Sequence, residues 1–272
     1  MAAMPDFTGV DWASLPRAER LEALALFEEK LNRRGQELFF SIFPDEDTPW
    51  DGPPILQKLI LPGQILYARH KYPKHLEYFR AGATFSERCA MMANRLGKTL
   101  TCGGFEMACH LTGLYPAWWE GRRFDHAISA WACGKINEKV REIVQPTLLG
   151  EVIGSGIAKT VDGRGIIPGR KIVGRPTWKA GIADQVDTVR VHHVSGEESL
   201  LAFKSYEQGR SGFEGTGQHV IWLDEEPPID VYGEALIRTA TTKGIMMLTF
   251  TPLEGLSDVV MQFLPEDQRP AA

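Results

Sequence analysis

Short apolar runs alternate with amphipathic segments along the chain after residue 50. Apolar runs of five to seven residues predict strands, and apolar positions three and four apart predict helices. The predicted strands span residues 88–93, 126–132, 188–194, 199–205, 219–223 and 245–250. The predicted helices span residues 98–111, 136–149, 231–240 and 256–263. This alternation predicts an α/β fold with a mostly parallel sheet flanked by helices.

The first 50 residues have a different pattern. Between residues 11 and 34, leucines and Phe27 recur at helical spacing with charged residues between them, which predicts an amphipathic helix. Residues 43–54 are rich in Pro, Asp and Gly, which predicts a linker or surface loop. We therefore expect an N-terminal helical appendage at residues 1–50 and an α/β domain at residues 51–272.

Residues 150–187 interrupt the alternation with an irregular, glycine-rich stretch, which predicts an insertion or long loop. Asp162 is the single acid between residues 159 and 179. The basic residues in that range are Lys159, Arg164, Arg170, Lys171, Arg175 and Lys179. Two interpretations stay open, because such a stretch can contact nucleic-acid phosphates or can simply be a solvated surface.

The composition is that of an ordinary soluble globular protein, with 43% hydrophobic and 24% charged residues. A formal net charge of −5 argues against a protein that coats nucleic acid, although a few basic residues at a pore could still contact it. Cys89, Cys102, Cys109 and Cys133 lack metal-binding spacing, and we expect reduced, mostly buried thiols. No apolar run approaches the length of a membrane span, so a cytoplasmic protein is expected.

The most informative segment is the sequence NRLGKT at residues 94–99, which follows a predicted strand and begins a predicted helix. In this context backbone N–H groups at a helix start surround phosphates, and Gly97 allows their close approach. Lys98 would reach the β and γ oxygens, and the Thr99 hydroxyl would ligate Mg²⁺. The full phosphate-loop pattern requires glycine at position 92, where this chain has Met92, so we expect altered loop geometry.

A second motif ends another apolar strand with three acids, Asp224, Glu225 and Glu226. Carboxylates at the carboxyl end of a strand lie where α/β sheets present catalytic groups. Asp224 would hold Mg²⁺, and Glu225 would orient and deprotonate the water that attacks the γ-phosphate. For Glu226 an N-terminal cap of the following helix is an equally good interpretation.

The predicted strand at residues 245–250 ends in Thr249, Thr251 and a proline. Hydroxyl groups at that strand end would lie beside the γ-phosphate and could sense its hydrolysis. Ordinary turn and capping chemistry explains a Thr-Pro pair equally well.

Three motifs in this order, ANRLGKT at residues 93–99, VIWLDEE at 220–226 and LTFTP at 248–252, resemble the ATPase centre of the large terminase subunit of tailed bacteriophages. Stretches at residues 72–82, 113–124 and 203–215 resemble one branch of that family. The similarity covers roughly residues 60–265. The resemblance implies a P-loop NTPase of the ASCE, RecA-like class that hydrolyses ATP with Mg²⁺ and drives double-stranded viral DNA into a procapsid.

The resemblance also implies roles for individual residues. Arg95 would contact the γ-phosphate and act in catalysis with Lys98 and Glu225, while Thr99 and Asp224 would ligate the metal. The residues Thr249 and Thr251 would couple hydrolysis to DNA movement. The segment that binds ATP would comprise Asn94, Arg95, Leu96, Gly97, Lys98, Thr99 and Leu100.

Family motors often use an arginine from a neighbouring subunit, supplied by an Arg-Gly step before the acidic strand. That step reads Glu-Gly at residues 214–215, so Arg210 is the nearest candidate for a trans-acting arginine. The resemblance places the adenine pocket in the segment that contains Tyr72 and Arg80, where many family members have a glutamine and this chain offers His75.

By the same resemblance, the partners would be double-stranded DNA, a small terminase subunit and a portal protein. The chain would act in the host cytoplasm, away from membranes, as a homo-oligomeric ring, a pentamer in this family. The helix predicted within residues 11–34 is a candidate docking element for the small subunit, and a helix that only packs against the core would show the same pattern. Full-length members continue into a nuclease domain with an RNase H-like acidic cluster, and this sequence reaches residue 272 before one could fit, so we expect no DNA cleavage by this chain.

Two alternatives to a packaging motor stay open. An Asp-Glu pair after an apolar strand also fits a DExx-type helicase-like ATPase, although such helicases need a second RecA-like domain. The other alternative is a nucleotide-binding assembly module that does not hydrolyse ATP, motivated by Met92 and the acidic net charge.

Overall fold

A seven-stranded sheet organises the protein in a computed structural model, which describes residues 16–22, 37–55, 60–253 and 255–269. In chain order the strands are β1 (Thr48–Pro49), β2 (Ile65–Leu66), β3 (Glu87–Met91), β4 (Ser129–Gly134), β5 (Val152–Ile153), β6 (Thr160–Val161), β7 (Ile172–Trp178), β8 (Val186–His192), β9 (Glu198–Ser205), β10 (Val220–Asp224) and β11 (Ile245–Phe250). The pairs β1–β2 and β5–β6 form small antiparallel sheets of their own.

Two of the helices contain π-helical segments. The helices are α1 (Leu38–Ser41), α2 (Pro73–Ala81), α3 (π-helical Lys98–Phe105 followed by Glu106–Thr112), α4 (Asn137–Lys139, π-helical Val140–Val144, then Gln145–Leu149), α5 (Ile229–Ala240) and α6 (Asp258–Phe263). Single 3₁₀ turns occur at Arg69–Lys71, Gly156–Ala158, Gly169–Lys171, Tyr206–Gln208, Arg210–Phe213 and Glu266–Gln268. Among the described helices, none combines the length and the apolar composition that crossing a membrane requires.

The strand order in the large sheet is β3-β11-β10-β4-β9-β8-β7. The first five strands run parallel, and β8 and β7 continue the sheet in antiparallel pairing. Because β3, β11 and β10 are parallel neighbours, their carboxyl ends lie at the same edge of the sheet. The phosphate loop, the Thr-Pro motif and the acidic motif leave the sheet at that edge.

The predicted α/β class is confirmed, and each strand and helix predicted after residue 50 corresponds to an observed one, with bounds that differ by a few residues. The prediction of an irregular insertion or long loop at residues 150–187 is wrong in part, because this range contains β5, β6 and β7. β7 carries Gly174 and Pro176 and has irregular register against β8. Pro176 is tolerated because β7 is an edge strand and its register against β8 is shifted between Val173 and Thr177, so the missing N–H of Pro176 breaks no regular ladder bond.

The two faces of the sheet are covered by different apolar clusters. Along β10, Val220 and Trp222 belong to one cluster and Ile221 and Leu223 to the other, as alternation along a doubly covered strand requires. The first cluster also includes residues from the N-terminal part of the chain. These are Leu38, Phe39, Phe40, Phe43 and Trp50. The centroid of the Phe43 ring lies 5.7 Å from that of Phe79 and 5.5 Å from that of Phe105.

Residues 37–50 therefore share a core with the sheet, while the domain division at residue 50 stays a prediction. Of the amphipathic helix predicted within residues 11–34, residues 17–22 are helical, and residues 11–15 and 23–34 lie outside the described segments.

A buried ionic cluster joins β3 to α3. The Arg88 guanidinium donates to Glu106 Oε1 at 2.7 Å, and His110 Nε2 lies 3.2 Å from the same oxygen. Burial opposes ionisation of Glu106, but Arg88 and His110 outweigh it and hold the pKa of the carboxyl below its ordinary value. This cluster fixes the helix that follows the phosphate loop against the strand that precedes it.

The cysteines match their prediction. All four are free, and Cys102, Cys109 and Cys133 are buried. Burial raises the pKa of Cys102 to about 12, so this thiol stays protonated at neutral pH.

Candidate functional site

The phosphate loop occupies residues 92–97, between the end of β3 at Met91 and the start of α3 at Lys98. Gly97 has a φ of 83° and Arg95 a φ of 65°. Glycine adopts this left-handed conformation freely, whereas it is uncommon for a residue with a Cβ. The loop therefore makes its sharpest turns at residues 95 and 97, immediately before the helix that would receive phosphate.

The start of the loop explains how Met92 replaces the usual glycine. Met92 is not among the residues with positive φ, and its N–H donates to the Phe250 carbonyl at 3.2 Å. The loop thus begins as an extension of the β3–β11 ladder, in a backbone conformation open to any residue. Met92 therefore needs no left-handed backbone at this position. A difference in geometry from the usual phosphate loop stays a prediction.

Lys98 lies at the first position of α3 with 7% of its surface exposed. Its Nζ is 3.3 Å from Asn94 Oδ1 and 3.9 Å from Glu225 Oε1. The ammonium group is thus held between the phosphate loop and the acidic motif. Both contacts are long, so an entering phosphate oxygen could replace either partner of the ammonium group.

Asp224 is the most strongly connected carboxylate at this edge. Its Oδ1 accepts from Thr99 Oγ1 at 2.9 Å and from Thr249 Oγ1 at 2.7 Å, and Trp222 Nε1 donates to Thr249 Oγ1 at 2.7 Å. Burial raises the pKa of Asp224 to about 7, with the neighbouring Glu225 charge adding to the shift and the hydroxyl donors opposing it. The hydrogen bonds join three predicted site residues into one cluster.

The donor set fits a magnesium ion. Thr99 and Asp224 offer a hydroxyl and a carboxylate oxygen that already touch, and Mg²⁺ prefers oxygen ligands. A cation here would favour the charged form of a carboxylate that burial otherwise disfavours. No cluster of three or more His, Cys, Asp or Glu suited to a metal occurs in the described segments. Mg²⁺ sites typically have only a few protein ligands, because phosphate and water oxygens complete the coordination shell.

Glu225 adopts an unusual backbone conformation directly after β10. Its φ is 63°, its N–H donates to the Thr249 carbonyl at 2.9 Å, and 42% of its side chain is exposed. The neighbouring Glu226 instead accepts a hydrogen bond from Ser257, the N-cap residue of α6. The two glutamates therefore differ in environment, since Glu225 meets Lys98 and solvent while Glu226 is tied to a helix start.

Thr251 connects the Thr-Pro motif to the phosphate loop. Its hydroxyl lies 2.8 Å from the Met92 carbonyl and 3.0 Å from Asn94 Oδ1. Thr249 and Thr251 thus contact opposite walls of the site, one through Asp224 and the other through the loop. That both hydroxyls lie beside the γ-phosphate stays a prediction.

A cavity of about 1780 Å³ opens beside the phosphate loop and extends toward α2. Of the adenine candidates, Tyr72 and His75 line it, and His75 Nε2 lies 3.1 Å from the Leu96 carbonyl. Burial lowers the pKa of His75, although its bond to Leu96 opposes the shift. Arg80 does not line the cavity and is paired with Glu120.

Arg210 lies in the loop after β9. Its Nε donates to Glu234 Oε2 on α5 at 3.1 Å, and 62% of its side chain is exposed. It makes no described contact with the residues that surround Asp224. A role in a neighbouring subunit's site stays a prediction.

The basic residues at 159–179 are engaged within the chain. The contacts are Lys159 with Asp184 at 2.8 Å, Arg164 with Asp162 at 4.0 Å, Arg170 with Glu37 at 3.4 Å, Lys179 with Asn137 at 3.0 Å, and Arg175 with the Ile157 carbonyl. Lys171 also has an interaction partner. Contact with nucleic acid at this surface stays a prediction.

Two residues at the site were not predicted. Trp222 was assigned only as part of an apolar strand, and Tyr206 only as part of a family-like stretch. Trp222 contacts Thr249, which is 27 positions away in the sequence. Tyr206 contacts the carbonyls of residues 224 and 225, which are 18 and 19 positions away. The one local signal is chemical, because Trp and Tyr carry a polar group that needs a partner when buried.

Comparison with known proteins identifies the family. A family model described as terminase large subunit, T4likevirus-type, N-terminal, matches residues 89–272. The large terminase subunit of Salmonella phage P22 is 34% identical over 270 residues, covering 92% of this chain and 47% of the relative. The chain therefore spans about half the length of this curated relative.

Two solved structures are also similar. The large terminase of the thermophilic bacteriophage D6E has a TM-score of 0.46 at 14% identity, over 67% of this chain and 38% of that chain. The ATPase domain of the Thermus phage P74-26 large terminase, solved as a mutant, has a TM-score of 0.38 at 15% identity, over 67% of this chain and 69% of that chain. With its family-model match over residues 89–272, the chain belongs to the terminase large subunit family of the T4likevirus type and carries the N-terminal part of that family.

Proposed function

We propose that this chain is the ATP-hydrolysing motor module of a phage terminase, in which hydrolysis drives double-stranded DNA into a procapsid. One observation carries the proposal. The Thr99 hydroxyl lies 2.9 Å from Asp224, and the Lys98 ammonium lies 3.9 Å from Glu225, although the two motifs are more than 120 residues apart. Family membership supports the same function.

Each residue has a distinct task in the proposed reaction. Lys98 leaves Asn94 to bind β and γ phosphate oxygens, and the N–H groups at the start of α3 complete the cradle. Arg95, exposed on the loop, stabilises charge that develops on the γ-phosphate. Glu225 orients the attacking water and accepts its proton, and its partly exposed carboxylate is accessible to that water.

Thr99 and Asp224 are the residues that would hold Mg²⁺, which when bound neutralises phosphate charge and favours displacement of the γ-phosphate. Thr249 contacts Asp224 and Thr251 contacts the phosphate loop, which supports a role for both in responding when γ-phosphate leaves. Action as a homo-oligomeric ring, with a small terminase subunit and a portal protein, is part of the proposal and rests on the family.

The proposal is tested by ATP turnover of the wild type and Lys98→Ala, with and without duplex DNA, across concentrations that permit association. Loss of a charge-stabilising donor lowers turnover by about 100-fold or more, so Lys98→Ala should be nearly inactive. Lys243→Ala is the matched control, because this exposed lysine lies two residues before the amino end of β11, and the site lies at the carboxyl end of that strand.

Normal turnover by Lys98→Ala would refute the assigned site. Nucleotide binding by the wild type without turnover in any condition would favour an assembly module that does not hydrolyse ATP.

A further inference from the structure

Tyr206 lies directly after β9, two strands away from the acidic motif in the sheet. It is buried, with 5% of its surface exposed, and its ring faces Phe213 with centroids 6.4 Å apart. Its hydroxyl reaches across to two backbone carbonyls, that of Asp224 at 2.9 Å and that of Glu225 at 3.0 Å. The Tyr206 hydroxyl therefore contacts the backbone of the acidic motif and makes no described hydrogen bond to the side chains of Asp224 and Glu225.

These two carbonyls belong to the two peptide groups on either side of the Glu225 Cα. Fixing both peptide planes fixes the φ and ψ of that residue, because only those two torsions lie between the planes. Glu225 has a φ of 63°, a conformation that residues with a Cβ rarely adopt. The hydroxyl thus contacts both peptide groups of a backbone conformation that the residue does not prefer, and the Thr249 carbonyl holds the first of these groups as well.

The segment that carries Tyr206 is itself firmly anchored. Phe213 is fully buried and its ring lies 5.8 Å from the ring of Trp131. The Lys204 ammonium donates to the Gly212 carbonyl and lies 4.4 Å from the Trp131 centroid. Residues 204–213 therefore form a braced loop, and the Tyr206 hydroxyl has a defined position relative to β10.

The Tyr206 hydroxyl has one hydrogen to donate, as any tyrosine has at neutral pH. The two carbonyls can only accept, so they share the single hydroxyl hydrogen in a three-centre hydrogen bond.

We propose that Tyr206 is a positioning residue for Glu225, whose hydroxyl fixes the two peptide groups around Glu225 and so aims its carboxylate at the attacking water. The inference rests on the proposed function, since it assumes that Glu225 is the base. Tyr206 contacts no reacting atom and acts only through the backbone of the acidic motif.

The test is Tyr206→Phe, which removes one oxygen and keeps the ring. Tyr232→Phe is the matched control. Tyr232 is 6% exposed, lies in the same apolar cluster as Tyr206, and donates to Glu87 Oε2 at 2.6 Å. Glu87 begins β3, so this hydrogen bond lies at the edge of the sheet opposite the site.

We expect Tyr206→Phe to lower kcat for ATP by about tenfold or more, because small misplacements of a reacting group are costly, and to leave KM and ADP affinity unchanged. Amide exchange at Glu225, whose N–H donates to the Thr249 carbonyl, should be faster in Tyr206→Phe than in Tyr232→Phe. Tyr232→Phe should keep the wild-type kcat even where its melting temperature falls.

An unchanged kcat in Tyr206→Phe, a change in KM alone, or an equal loss of kcat in both variants would overturn the inference. Unchanged amide exchange at Glu225 would also overturn it. Glu225→Gln, measured in parallel, separates this failure from failure of the proposed function. If Glu225→Gln is inactive and Tyr206→Phe is normal, only the role of Tyr206 is lost. If Glu225→Gln is fully active, the proposed function fails as well.

Discussion

At the scale of single residues, the direction of the hydrogen bonds at Asp224 follows from what each group can do. The indole N–H of Trp222 can only donate, so the Thr249 hydroxyl accepts from it and must give its own hydrogen to Asp224. Trp222 and Thr249 are both fully buried, so neither can exchange this partner for water. Thr249 is therefore fixed in one orientation by a residue on the neighbouring strand.

This arrangement predicts different effects for two substitutions of Thr249. Thr249→Val keeps the shape but leaves the buried Trp222 N–H without a partner, which should lower the free energy of unfolding by about 1–3 kcal/mol. Thr249→Ser keeps the hydroxyl and should cost less. Urea denaturation of the three proteins checks this, and equal losses for Val and Ser would show that the hydroxyl is not the reason.

Some residues of the candidate site could be predicted from the sequence and others could not. Lys98, Thr99, Asp224 and Glu225 stand in short motifs whose chemistry depends on local spacing, so the sequence indicates them directly. Tyr206 acquires its contacts only when β9 is placed beside β4 in the folded sheet. Nothing in the neighbouring residues of the sequence encodes that meeting.

At the scale of elements, the helix after the phosphate loop is held by the buried cluster of Arg88, Glu106 and His110. Arg88 also donates to the Tyr78 carbonyl of α2 at 2.7 Å. One guanidinium thus ties together the strand before the loop, the helix after it, and the helix that lines the cavity. The position of the loop depends on this tie.

We predict that Arg88→Met lowers the free energy of unfolding by about 3–5 kcal/mol at neutral pH, because it leaves Glu106 buried without its main partner. Adding Glu106→Gln should recover part of the loss by removing the buried charge. Urea denaturation measures both variants, and a double variant as unstable as Arg88→Met would contradict the explanation.

The penalty should also depend on pH. The pKa of Glu106 is lowered in the folded state, so its stabilising contribution is complete above the ordinary value of 4.5 and is lost as the pH falls through the lower folded-state value. The difference in unfolding free energy between wild type and Arg88→Met should therefore shrink below pH 4.5. A constant difference across that range would show that the ion pair is not its source.

Prediction of the elements succeeded where an apolar run is bounded by clear turn signals, as in β10 and β11. β7 was missed because Gly174 and Pro176 interrupt its pattern, and its place at the sheet edge with a shifted register makes Pro176 acceptable. The π-helical turns in α3 and α4 were also not predicted, since the apolar spacing of a short helix does not distinguish them from α-helical turns.

At the scale of the whole molecule, the parallel sheet brings three motifs to one edge, while the candidate Arg210 is attached elsewhere. Its Nε is paired with the buried Glu234, and most of its side chain remains exposed. The predicted trans-acting role requires Arg210 to reach a neighbouring subunit from this exposed position. In that arrangement one chain supplies Lys98 and Glu225 and the next supplies Arg210.

This arrangement predicts complementation between two inactive variants. We expect Arg210→Ala to lose turnover at concentrations where chains associate, and an equimolar mixture with Glu225→Gln to recover part of it, because some interfaces then combine an intact site with an intact arginine. ATP turnover of the mixture against each variant alone is the measurement. A mixture no more active than the average of its parts would exclude Arg210 as a trans-acting residue.

We propose that the carboxyl-end edge of the sheet, with Lys98, Thr99, Asp224 and Glu225, hydrolyses ATP, and substitution of two adjacent glutamates tests this proposal. Glu225→Gln should lower turnover by about 100-fold or more while nucleotide affinity is kept, because it removes the base. Glu226→Gln should leave turnover near the wild-type value, because Glu226 is bound to Ser257 at the start of α6. Wild-type turnover by Glu225→Gln, or an equal loss in Glu226→Gln, would contradict the account.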